Sequence, residues 1–282
     1  MGRLCGLASG EGSVSVLHRV YRALAHVGAQ VVESLRAVVG AAGLLYDTLA
    51  AIAHPGRGGY RSLFRQVVSQ VLFTGVEALW LAGVVALVTG ATVVLQATVN
   101  MPRFGVSGYF GGILIATVVR ELGPFFTALI VIGRSGAAFA AYVGTMRVSR
   151  EVAALEVMGI DPVQFLILPA FCGMVAGMVC LNVYFAFIAL GGGLMVAGAM
   201  TNVPLAPFVG KLLDALTFSD LLISLSKSAL FGVIAATVSG FHGLNVRSIR
   251  GIPQASLRSV VNGMAAMIAV NALLTLGWYY YA

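Results

Sequence analysis

No charged side chain stands between Asp161 and Lys211. A segment of that length without charge belongs in a bilayer, where its backbone amides must be satisfied internally, by helices or by a closed barrel. Further uncharged runs, each close to or above the about 20 residues that cross a hydrocarbon core, extend from Ala78 to Pro102, from Ser228 to Val246 and from Ser259 to Ala282. They lack the alternating ten-residue pattern of barrel strands. An all-α integral membrane protein is expected. The charged fraction of 10% agrees with this. Soluble domains carry roughly 25%.

The pattern predicts five spans: about Val67 to Val99, Ser107 to Tyr142, Val163 to Leu190, Ser228 to Val246 and Ser259 to Tyr281. The third is expected to end at Gly191-Gly192-Gly193. Residues 194–227, interrupted by Asn202, Pro204 and Pro207, then read as a half-buried excursion in the outer leaflet. Ahead of the transmembrane domain, 67–282, lies a separate region, 1–66. There Val16, Val20, Leu24, Val27, Val31, Leu35 and Val38 recur by threes and fours among charged and polar residues, an amphipathic helix. Such a helix lies in the membrane interface or packs on the rest of the protein; the apolar context favours the interface.

Of the 17 Lys and Arg, 12 fall in loops on one side of this topology, while Arg103, Lys211 and Lys227 fall on the other and Arg120 and Arg134 lie within a span. The positive-inside bias then puts the N-terminus in the cytoplasm and the C-terminus outside. The net charge of +7 is spread over these membrane flanks, so no nucleic-acid partner is expected. Cys5, Cys172 and Cys180 form no CxxC pair, and the four histidines lack metal-ligand spacing. Ser239 and His242 lack a third group to orient a base, which argues against a hydrolase. No GxxxxGK[ST] loop occurs, so the chain is not expected to bind ATP phosphates itself. The opening MGRLCGLASGEGSVSV has no compact apolar core before a cleavage site, and neither a signal peptide nor myristoylation is expected.

The stretch from Arg120 to Pro162 changes character along its length. Arg120, Glu121 and Arg134 are bare charges in a span, and each needs a partner. Adjacent helical residues point about 100° apart, so Arg120 and Glu121 are each expected to reach another helix, either as part of a polar clamp that holds the bundle or in direct contact with substrate. Gly133, Gly136, Ala137, Ala140, Ala141 and Gly144, with Gly173 and Gly177 in the next span, are spaced for close helix packing. Glu77, deep in the first span, reads either as a functional group or as one that reaches water or Arg65. Beyond the small-residue stripe the segment turns wet, with Arg147, Arg150, Glu151, Glu156 and Asp161 before Pro162.

The ordered residues RELGP at 120–124, Thr127-Ala128-Leu129, Gly133-Arg134 with Gly136, Gly144-Thr145-Met146, Glu151, Ala154-Leu155 and Met158-Gly159-x-Asp161-Pro162 resemble the MlaE-type permease family, the MCE-associated ABC lipid transporters. Tyr142 departs from the pattern, which commonly has Glu there. The resemblance implies a bacterial inner-membrane permease that forms a homodimer and binds two ATPase subunits, with ATP and Mg held by those subunits and no cofactor in this chain. It also implies an MCE-domain partner on the periplasmic side and a phospholipid or related lipid as cargo.

By the same resemblance about 147–160 is a cytoplasmic coupling helix between the second and third spans, with Arg147, Arg150, Glu151, Leu155, Glu156, Met158 and Asp161 as ATPase-coupling residues. Val152, Leu155 and Met158 are expected to face a groove on the ATPase. Arg120, Glu121, Gly123, Pro124 and Arg134 are expected as intramembrane structural residues, and Glu77, Gln96 and Asn182 stand as candidates for a lipid path. The expected function is transport without covalent chemistry. The alternatives are an ATP-independent channel or secondary transporter, which calls for an internal repeat or a line of intramembrane charges not found here, and a purely structural scaffold.

Overall fold

The computed structural model describes residues 39–51, 60–100, 110–201, 210 and 214–281. The amphipathic stretch Val16 to Val38, together with Arg103 and Lys211, lies outside the described residues. A short apolar helix, α1 (Val39–Ala51), precedes five helices long and apolar enough to cross a membrane: α2 (Phe64–Thr98), α3 (Gly112–Val148), α5 (Val163–Val196), α6 (Phe218–Leu244) and α7 (Ile249–Gly277). A short helix, α4 (Glu151–Val157), joins α3 to α5. The described residues contain no strand, so the all-α membrane architecture and the number of spans agree with the sequence.

Helix α5 is the centre of the bundle. Met174, Met178, Leu181, Phe185 and Ala189, spaced by fours and a three, are buried along it. Helix α2 answers with Ala78, Ala82, Ala86, Gly90 and Val94, a small-residue stripe at intervals of four that lets the two backbones approach. A Cβ on Gly90 would fall 2.0 Å from the carbonyl oxygen of Ala189, and one on Gly193 would fall 2.7 Å from that of Gly90. Gly173 and Gly177 continue the seam against Gln70 and Thr74. On the other side of the bundle Gly136, Ala140 and Gly144 of α3 are buried toward α6, where they meet Ser239, Gly243 and, just past its end, Val246. Helix α1 lies over the end of α6, with Gly40 against Phe241 and Leu44 near Gly240.

Two expectations are corrected. Gly191-Gly192-Gly193 does not end the third span: the helix runs on to Thr201. Gly192 and Gly193 pack on Leu87, Gly90 and Val94, so packing offsets the roughly 1 kcal/mol by which glycine disfavours a helix. Residues 194–227 are also not one excursion, because α6 begins at Phe218. Its start is a capping box in which Thr217 caps the Asp220 backbone while the Asp220 carboxylate accepts from Thr217 N. Lys227 therefore sits within a span, not in a loop, and drops out of the count of charges in loops.

Three turns are π-helical: Ala116–Leu122 and Ile132–Gly136 in α3, and Val163–Ile167 at the start of α5. The first and third end two residues before a proline, Pro124 and Pro169. A proline ring crowds the carbonyl four residues back and brings no N–H, and widening the turn relieves that clash. The widened turn in α3 leaves the carbonyl of Val119 facing Pro124, which cannot donate, and Ser224 Oγ on α6 donates to it instead at 2.8 Å.

Candidate functional site

The π-turn of α3 carries both Arg120 and Glu121, and each finds its partner on α6. Arg120 is paired with Asp220, the residue that caps α6. Lys227 Nζ lies 2.5 Å from Glu121 Oε1 and donates to Thr275 Oγ1 at 3.2 Å, while the Thr275 hydroxyl donates to Glu121 Oε2 at 3.1 Å. Lys227 is nearly enclosed, with 6% of its side chain exposed. The quartet Arg120, Asp220, Glu121 and Lys227 sums to no net charge, which is how charged groups are tolerated in a bilayer. Both residues of the adjacent pair do reach another helix, and it is the same one.

A cavity of about 770 Å³ opens beside this quartet between α3, α6 and α7. Arg120, Glu121, Lys227 and Thr275 form its polar floor, and Leu222, Leu230 and Leu274 line its walls. Those three leucines are also exposed, so the cavity opens at the side of the bundle. An apolar chamber with a charged, hydrogen-bonded floor offers acyl-like surface and ionic partners at once.

Behind the floor Asn182 donates to Ser224 Oγ at 2.8 Å, and Gly123 abuts its side-chain oxygen. Asn182 is thus a buried strut rather than a wall of the cavity. Gln96 is exposed on α2, away from the cavity, and Glu77 is also outside it. Glu77 pairs with Arg134, which donates as well to the Phe73 carbonyl at 3.2 Å and lies over the Phe73 ring. A 3-10 turn at Val76–Ala78 and the π-turn at Ile132–Gly136 meet at this pair. The partner of Glu77 is Arg134, not Arg65. Gly123 and Pro124 are buried in the first turn of the helix that follows the π-turn.

At the far end of α3, about 40 Å from Arg120 by helical rise, the chain makes a compact corner. Arg150 occupies the left-handed region, φ 62°, where its N–H bonds to the Arg147 carbonyl at 3.3 Å. Helix α4 ends in a Schellman motif. Ile160 N donates to Leu155 O at 2.9 Å and Gly159 N, φ 74°, donates to Glu156 O at 3.0 Å. Asp161 then accepts from Val163 N at 2.9 Å and leads into Pro162 and α5. Asp161 thus acts as a start signal for α5.

Val152 does not face outward as expected but is buried against the bundle, 1% exposed. The outward apolar surface is made by Val157, 89% exposed, Met158, 64%, and Ile160. Around it Arg147, Arg150, Glu151 and Glu156 are exposed, Leu155 is half-buried, and Arg147 approaches Glu156 at 4.0 Å. The sequence reading missed Val157 and Ile160, along with Asp220 and Lys227. The signal for Asp220 was the Thr217-x-x-Asp220 spacing of a helix start.

A family model described as Permease MlaE matches residues 67–276. The chain is 29% identical over 251 residues, 88% of its own length and 94% of the relative's, to the intermembrane phospholipid transport system permease protein MlaE of Haemophilus influenzae. It is 29% identical over 210 residues, 74% of this chain and 81% of the relative, to a probable ABC transporter permease protein of Rickettsia typhi. A probable ABC transporter permease protein of a Synechocystis species is 28% identical over 214 residues, 75% of this chain and 81% of the relative.

Proposed function

Since this chain belongs to the Permease MlaE family, we propose that it is the membrane subunit of an ATP-driven transporter in the bacterial inner membrane that moves phospholipid or a related lipid. The observation that carries the reading is the pairing of two features at opposite ends of α3. One end forms the floor of an open-sided, mostly apolar cavity, and the other ends in an exposed corner where Val157, Met158 and Ile160 stand among charged residues.

Such a corner, connecting two spans, suits a cytoplasmic ATPase. The apolar trio enters a groove, and Arg150, Glu151 and Glu156 set the register. Two ATPase subunits bind a homodimer of this chain and carry the ATP and Mg. Ile268, Leu273 and Leu276 on α7 are exposed and supply an apolar face for the second copy. The phospholipid named for the Haemophilus relative fits the cavity, with acyl chains on the leucines and the headgroup near Arg120 and Lys227. An MCE-domain protein on the periplasmic side exchanges the lipid with the cavity.

For coupling, the ATPase states must bind the corner differently, since equal binding would shift no equilibrium. Reconstitution into vesicles with the partner ATPase tests the whole reading. Lipid movement that requires both ATP and the ATPase is the expected result. Equal movement without ATP would replace the proposal with a channel or secondary transporter.

A further inference from the structure

A second cavity, about 260 Å³, lies at the other end of the bundle, where α6 turns into α7. Among the described residues its lining includes Arg247, Arg258, His242, Ser248, Asn245 and Gln254 and holds no carboxylate. The chain carries no Asp or Glu at all from Leu221 to its end. Two of its lining side chains, His242 and Asn245, are held by neighbouring groups. His242 Nε2 lies 3.0 Å from Asn262 Nδ2, the Asn245 amide donates to Phe241 O at 2.8 Å, and Ser239 and Ser259 bond hydroxyl to hydroxyl at 2.8 Å just beyond. Val246, also in the lining, packs on Gly144 near the end of α3, so this cavity shares its end of the bundle with the 147–161 corner.

We propose that this cavity binds the phosphate of an anionic lipid headgroup in the leaflet next to the ATPase, as a resident lipid separate from the transported one. Guanidinium groups pair with phosphate oxygens through short, charge-assisted hydrogen bonds. Basic pockets between transmembrane helices on the cytoplasmic side are suited to anionic headgroups. The volume falls just below the roughly 300–1,000 Å³ of pockets that enclose whole small molecules, so a headgroup fits and its acyl chains must lie outside. A surface for them is present: Leu257 and Val261, one turn apart on α7 beside Arg258, are exposed and lead from the cavity into the span.

The two cavities are distinct. On α7 the second is lined by Arg258 and the first by Thr275. Helical rise separates those two residues by about 25 Å. Only the choice of leaflet rests on the orientation proposed above. The binding itself requires neither the ATPase nor transport, so it stands or falls separately.

The test uses the full chain, delipidated in detergent, with native mass spectrometry of lipid adducts at rising concentrations of phosphatidylglycerol, of phosphatidylcholine, and of phosphatidylglycerol with excess inorganic phosphate. The expected result is a phosphatidylglycerol adduct whose affinity falls roughly tenfold to thirtyfold in the double variant Arg247→Gln/Arg258→Gln. Arg247→Lys/Arg258→Lys retains most of that affinity, and Arg250→Gln, the same charge change in the same loop but outside the cavity lining, retains all of it. Three results would each overturn the proposal: an equal loss in Arg250→Gln, which indicates diffuse attraction; equal adducts with phosphatidylcholine, which indicate no anion selection; and displacement by inorganic phosphate, which indicates a free-anion site.

Discussion

Lys227 shows how a single side chain sets the local energetics. With Lys227 truncated, Glu121 loses its cation beside the cavity, and breaking a buried pair by removing one partner costs about 3–5 kcal/mol. Glu121 is partly exposed, which puts the cost at the low end of that range. Lys227→Met should therefore lower the midpoint of thermal unfolding in detergent by about 6–12 °C, and adding Glu121→Gln to that variant should recover most of the loss. Ser224→Ala removes a hydroxyl that donates to the Val119 carbonyl and accepts from the Asn182 amide. Its expected cost is about 1–3 kcal/mol for each buried polar group left unsatisfied, read as a fall in the same midpoint. Arg120 and Glu121 were legible as charges in need of partners. Their partners were not, because Asp220 and Lys227 follow a stretch interrupted by Asn202, Pro204 and Pro207 that reads as loop, and nothing local marks a lysine as intramembrane until the facing carboxylate is known.

At the scale of elements, the spans were legible from uncharged length alone, while helix ends and faces were not. Gly191-Gly192-Gly193 reads as a break because glycine lowers helix propensity, yet two of the three glycines are contact points for α2. The distinction is measurable. Gly90→Ala places a Cβ against the backbone of Ala189 and should lower thermal stability clearly. Gly191→Ala has open space around it and should leave stability unchanged or raise it by up to about 1 kcal/mol. Helix α4 was legible as a wet element, but its outward face was misassigned. So short a helix gives periodicity too little length to settle orientation, and the left-handed turn at Arg150 and the Schellman ending carry Val157, Met158 and Ile160 outward instead of Val152. Val157→Asp and Glu156→Lys should each leave the protein folded while weakening co-purification of the ATPase. Undiminished co-purification from both would count against the coupling role of the corner.

For the molecule as a whole, the all-helical architecture could be read from the uncharged runs and the family from one motif-rich stretch, which carries Arg120 and Glu121 of the first cavity's floor and the corner. The cavity itself could not be read, since its walls come from three helices that are far apart in the chain. The π-turns of α3 bear on how those two ends relate. Each holds one more residue than the α-turn it replaces, which offsets the angular phase of everything beyond it by about 100°. Helix α3 is thus wound as separately indexed sections on one shaft. Regularising the turn at Ile132–Gly136 by one residue would rotate the section after it relative to the section before it, redirecting the corner while the Arg120 and Glu121 pairs kept their seats.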